Sequence, residues 1–247
     1  VELVETFERS RLHLFVVKQL RYNPTLQLLK RAIDRDWSGD VHMVSLNVFW
    51  TRPQAYFDQD GWRGTRALDG GAFLNQTSHY FDLLTWLFGP VDDVSARVVT
   101  RARDIEVEDS GAVHLRWTSG ALGSVAVTLL THPRNLEATM TVAAERGTVK
   151  LAGNACDEIQ AWRVENSPVD ADHIARVNRQ TADLYGDGHV RYYENVIDVL
   201  RGSSNPDTNG REGLKSLELI TAAYASSSTG ARVSIPLPDD FDPEDPT

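Results

Sequence analysis

Between Val94 and Val164 six strand-like runs follow one another at short intervals: Val94–Thr100, Gly111–Trp117, Ala121–Leu130, Glu137–Ala144, Thr148–Leu151 and Glu158–Val164. Thr118-Ser119-Gly120 and Glu145-Arg146-Gly147 are turn signals of hairpin length between neighbouring runs. Strands joined by such short turns pair antiparallel. This one feature sets the expected class: α+β, with an open, mostly antiparallel sheet and helices on one face.

The rest of the chain fits around that sheet. From Val41 the pattern has a period of two: His42, Val44, Leu46, Val48 and Trp50 share one mostly apolar face. Pro53 ends the run. Before it, Val1 to about Arg9 reads as a short helix and Leu12–Val17 as a buried strand. Pro24 opens a helix whose Leu26, Leu28, Leu29, Ala32 and Ile33 are its apolar contacts, and Gly39 closes the turn after it. Helical segments are expected at His189–Leu200 and Arg211–Thr229, then a short strand near Val233.

The net charge of −10 over 247 residues argues against a general nucleic-acid binder, which needs a basic face to meet phosphates. No apolar run approaches the roughly 18 residues of a membrane span. The start lacks the basic and apolar regions of a secretory signal. A single cysteine, Cys156, allows no disulfide within the chain and suits a reducing cytoplasm. The six histidines other than His79 lack metal-site spacing, so no metal is expected.

Chemistry concentrates between Thr51 and Asp82. Gly70-Gly71 leads into a helical pattern carrying Asn75-Gln76 and then His79. On an α-helix Asn75 and His79 share a face, where an amide and an imidazole can orient a hydroxyl and move its proton. An ordinary amphipathic helix with a half-buried histidine carries the same residues. Asp82 either orients His79 or pairs with an arginine. The preceding loop holds Arg52, Tyr56, Trp62 and Arg63: guanidinium groups that match carboxylate and phosphate, and rings that stack on a sugar, a base or a nicotinamide. A surface loop with solvated arginines is the plainer alternative.

Gly70-Gly71, Asn75, His79 and Phe81-Asp82 together resemble the substrate-domain signature of the Gfo/Idh/MocA family of NAD(P)-dependent sugar oxidoreductases. With Trp50-Thr51-Arg52-Pro53 and Trp62-Arg63-Gly64, the pattern looks most like the branch oxidising UDP-N-acetylhexosaminuronates at C3. The likeness runs from Val17-Lys18-Gln19-Leu20-Arg21-Tyr22-Asn23-Pro24 to Gly230–Pro236. Many members have Asp where this chain has Asn75.

The resemblance implies catalytic roles for His79 and Asn75, with Arg52, Tyr56 and Gln76 binding substrate. It implies that Gln19, Arg21, Trp62 and Arg63 meet NAD or NADP. The chain has no Gly-x-Gly-x-x-Gly and no Glu-Lys-Pro motif. The expected division is therefore residues 1–23 as the last helix and strand of an otherwise missing Rossmann domain, 24–237 as a substrate-binding and oligomerisation domain, and 238–247 as an acidic tail. Such a chain is expected to be inactive alone and to form a homo-dimer or homo-tetramer through the sheet face. A non-catalytic binding module, or a dehydrogenase of another sugar or a cyclitol, stands as the alternative.

Overall fold

The computed structural model describes residues 1–165, 167–180, 188–238 and 241–242. Most of the acidic tail lies outside these residues. Its centre is a sheet of β1 (Val41–Phe49), β2 (Val91–Val99), β3 (Ser110–Trp117), β4 (Leu122–Thr128), β5 (Glu137–Ala144), β6 (Gly147–Ala152), β7 (Glu158–Val164) and β8 (Val233–Ser234). The order is β7-β6-β5-β1-β4-β3-β2-β8. Both expected hairpins are present, β3–β4 and β5–β6. One departure is topological: β1 lies between β4 and β5, running parallel to the first and antiparallel to the second. Eight residues connect β4 to β5, enough to step across an intervening strand supplied from earlier in the chain.

The expected alternation holds in β1, where Val44, Leu46 and Val48 are at most 1% exposed. They join a core completed by α2 (Pro24–Asp34), α4 (Ser78–Phe88) and α7 (Gly210–Thr229). The outer face is mixed in character. It carries Ser45, Asn47, His114, Ser124 and Thr141, with Met43 and Leu122 exposed side by side as register partners.

The Leu12–Val17 strand expected as the end of a Rossmann unit is not formed. After α1 (Glu2–Arg9) the segment makes one isolated bridge, Phe15 to Asn209, and Leu12 and Val17 are exposed. The physical reason is local: a strand needs a partner along its length, and the backbone bonds of this segment to Thr208 and Asn209 span two residues. Short elements absent from the sequence-based expectation are α3 (Gln54–Phe57) and α5 (Ala171–Gln180). Asp170 starts α5 by accepting the His173 amide at 2.7 Å, an N-cap signal present in the sequence. The helix α6 (Gly188–Leu200) begins within one residue of the start expected at His189.

Candidate functional site

The glycine pair does not open a regular α-helix. Gly70 and Gly71 have φ of 75° and 105°, and Ala72–Gln76 then forms a π-helical turn before α4 begins. A π turn carries an extra residue, so it rotates the side chains that follow relative to an α-helical count. The turn is seated by Phe73, whose ring occupies the space a side chain would fill at Gly111 (a Cβ there would lie 2.5 Å from the ring).

That rotation corrects the expected Asn75–His79 pair. Asn75 points its amide at Asp69, whose other carboxylate oxygen accepts the Gly64 N–H at 2.6 Å. It is Gln76 that joins His79 in a pocket, with Gln19, Trp50, Arg52, Tyr80, Asn135 and Asn154 also on the walls. Trp50 and Tyr80 meet edge to face at 5.8 Å. The pocket lies over one end of the sheet, where β1 runs out, α4 starts and the Gln19–Tyr22 turn crosses.

Hydrogen-bond accounting identifies this pocket as unusual. Buried polar side-chain atoms are nearly always paired, because leaving one unpaired costs free energy. Among the described residues, seven such atoms lack a partner. Five of them belong to pocket residues: Gln19 Oε1, Trp50 Nε1, Arg52 Nε, Gln76 Nε2 and His79 Nδ1. Three donors, one acceptor and one imidazole nitrogen suit a ligand rich in hydroxyl, carbonyl and anionic oxygens. A larger groove between α4, α7 and Ile235-Pro236 carries none of these atoms, so its size does not make it the better candidate.

His79 is held neutral. Burial is the main cause of its low pKa, about 4, and the nearby positive charge of Lys18 adds to it, against an opposing pull from Asp82. Lys18 itself is buried and donates to Ser216 Oγ at 3.0 Å, 3.9 Å from Asp82. Burial pushes its pKa down. Sequence reasoning missed this lysine, although a lysine ending an apolar run and preceding Gln19 was a visible signal.

Asp82 does not orient His79. Its carboxylate takes two bonds from Arg21, each 2.7 Å, and Arg21 also donates to Glu212 at 3.1 Å. Arg21, expected to meet the cofactor, is thus committed to a buried ion network and is not on the pocket wall. Of the other expected residues, Gln19 and Arg52 reach the pocket. Arg52 sits 5.2 Å from the centres of both the Trp50 and Tyr56 rings. Arg63 lies 4.2 Å from the centre of the same Tyr56 ring and 4.8 Å from that of Trp62. Tyr56, Trp62 and Arg63 therefore form a stacked ridge beside the pocket rather than its lining. Arg63 is also paired with Asp60 at 2.9 Å.

Comparison with known proteins places this geometry. Residues 26–150 match the Gfo/Idh/MocA C-terminal domain. The structure superposes on the WlbA dehydrogenase from Bordetella pertussis in complex with NADH and UDP-GlcNAcA, with a TM-score of 0.92 and 51% identity, covering 95% of this chain and 68% of that one. A WlbA dehydrogenase from Chromobacterium violaceum, again with NADH and UDP-GlcNAcA, gives 0.90 and 52%, covering 96% and 67%. The D-apiose dehydrogenase of Rhizobium rhizogenes is 24% identical, over 94% of this chain and 67% of its own length. The chain belongs to the Gfo/Idh/MocA family. It spans about two thirds of the length of these relatives.

Proposed function

We propose that this chain is the substrate-binding part of an NAD(P)-dependent sugar dehydrogenase that oxidises the 3-hydroxyl of a UDP-N-acetylhexosaminuronate. The observation carrying the proposal is the convergence of five unpaired buried polar atoms on one pocket. The two WlbA structures, at 51% and 52% identity, support the substrate class. In this reading the Arg52 guanidinium pairs with the sugar carboxylate, since its Nε–H has no protein partner. Gln76 Nε2 donates to a sugar oxygen. His79, neutral and with Nδ1 unpaired, takes the proton from the reacting hydroxyl.

A nicotinamide, when bound, supplies the acceptor for the hydride that leaves the sugar carbon. The residues present fit it at one point: the unpaired Gln19 Oε1 suits a carboxamide N–H. Trp62 remains a candidate for ring stacking from its place on the ridge. Asn75 acts in this proposal through Asp69, by holding the turn that carries Gln76, and not at the reacting atoms. Self-association through the sheet face belongs to the same proposal, supported by small outer residues such as Ala112 and Ala126 and by exposed Met43 and Leu122. A cytoplasmic setting agrees with Cys156 being a fully buried free thiol.

The test is NADH formation by the full-length gene product supplied with NAD+ and UDP-GlcNAcA. The expected result is turnover that His79→Ala lowers about a hundredfold or more. Turnover unchanged in that variant, or none with the sugar acid in the parent protein, would overturn the proposal.

A further inference from the structure

Glu108 and Asp109 are consecutive, almost wholly buried carboxylates just before β3. They reach different parts of the molecule. Glu108 accepts the Phe73 N–H at 2.9 Å, and the single proton of the Tyr224 hydroxyl is shared between Glu108 at 2.7 Å and the Gly70 carbonyl at 2.9 Å. A side chain at Gly71 would collide with the same carboxylate: a Cβ there would lie 2.3 Å from Glu108 Oε2. Glu108 therefore grips the glycine pair and the π-helical turn that delivers Gln76 and leads to His79.

Asp109 works on the opposite side. Its Oδ2 accepts three successive backbone N–H groups, those of Arg101, Ala102 and Arg103, at 2.9, 2.9 and 3.2 Å. Such a run of amides is an anion cradle, filled here by the protein's own carboxylate. The loop so fixed is stitched to the Arg52 segment. Arg103 Nε donates to the Arg52 carbonyl at 2.6 Å, and Asp104 and Gln54 exchange two bonds of 2.9 and 3.3 Å. Both carboxylates are tied to the sheet through the Asp109 backbone, which bonds Val99 and Leu129 at 3.2 and 2.8 Å.

We infer that Glu108 and Asp109 are a pair of positioning residues, each setting one wall of the pocket: Glu108 the Gln76–His79 wall, Asp109 the Arg52 wall. Neither touches the pocket. Because they are adjacent in sequence and anchored to one strand, they fix the distance between the wall that handles the sugar hydroxyls and the wall that handles the carboxylate. This functional consequence rests on the nucleotide-sugar reading above, whereas the mechanical one does not.

The test separates the two. Amide hydrogen exchange is followed in the parent chain and in Glu108→Met and Asp109→Ala, with Glu108→Gln and Asp109→Asn as variants that keep an acceptor oxygen. Asp109→Ala should speed exchange in residues 51–58 and 101–106 roughly tenfold, the scale of an abandoned buried hydrogen bond, and leave 72–79 unchanged. Glu108→Met should do the reverse, and the acceptor-keeping variants should restore most of the protection. Equal loosening of both segments by either variant, or of neither, would overturn the inference. A variant that unfolds is replaced by its acceptor-keeping counterpart, whose smaller effect must fall on the same segment. Titration with UDP-GlcNAcA and UDP-GlcNAc then reads the consequence. Asp109→Ala should lose the preference for the acid, and Glu108→Met should weaken both ligands alike. If the parent chain binds neither while the exchange pattern holds, the substrate reading fails and the positioning roles stand.

Discussion

Arg21 grips Asp82 with Nε and one terminal nitrogen, each 2.7 Å from a different carboxylate oxygen, where both side chains are almost entirely shielded from water. Lys18 adds a second positive charge 3.9 Å from the same carboxylate, and Glu212 a second negative charge on Arg21. The network joins the Gln19–Tyr22 turn, α4 and α7.

Removing one partner from such a network strands the others. Asp82→Asn should destabilise the chain by roughly 3–5 kcal/mol in urea unfolding, whereas the double replacement Arg21→Met with Asp82→Leu should cost less. A loss within about 1 kcal/mol for Asp82→Asn would mean that the buried charges are relieved by water.

The neutral state of His79 gives a pH signature. Its pKa falls from 6.5 to about 4 on folding, so below pH 6.5 the unfolded chain binds more protons and stability falls. The loss should grow as pH drops from 6.5 to about 4 and level off below that, reaching on the order of 3 kcal/mol from this group. His79→Gln should flatten that part of the stability profile. An unchanged slope between about pH 6 and about pH 4 in that variant, by urea unfolding, would assign the acid sensitivity to other groups.

The π-helical turn separates two neighbouring amides. Gln76→Ala should weaken sugar-ligand binding roughly tenfold with little change in stability, because its Nε2 is unpaired without ligand. Asn75→Ala should do the opposite, lowering the melting temperature through its lost bond to Asp69. Calorimetry and thermal unfolding of both variants check the assignment. The same phenotype in both would return Asn75 to the pocket.

The outer sheet face makes a further prediction. Met43 and Leu122 face outward side by side on the central pair β1–β4. If copies associate there, Met43→Arg should shift the chain to monomer in light scattering. A parent chain already monomeric at micromolar concentration would contradict that use of the face.

Much of the fold was legible because alternation and turn chemistry are local. The runs that became β3 to β7 carry their own period, and Gly120 and Gly147 mark the hairpins. The insertion of β1 beside β4 was not legible, since pairing partners are chosen by tertiary packing. The Leu12–Val17 run shows the converse: apolar composition without a neighbouring strand gives one bridge. His79, Gln76, Arg52 and Gln19 were singled out from the sequence, and the fold brings them to one pocket. Asn75 was misplaced because helical spacing assumes 3.6 residues per turn, and Gly70-Gly71 introduce a turn that breaks the count. Glu108 and Asp109 escaped notice because their partners are backbone amides and the hydroxyl of the distant Tyr224, pairings that a sequence does not display.

The most direct measurement is a calorimetric comparison of UDP-GlcNAcA with UDP-GlcNAc on the parent chain and on Arg52→Ala. The two ligands differ in the carboxylate alone among their charged groups on the sugar. The parent chain should prefer the acid by roughly tenfold or more, the worth of a charge-assisted bond to a desolvated guanidinium, and Arg52→Ala should abolish the preference. Equal affinities in the parent chain, or a preference that survives in Arg52→Ala, would contradict the pairing of Arg52 with the carboxylate.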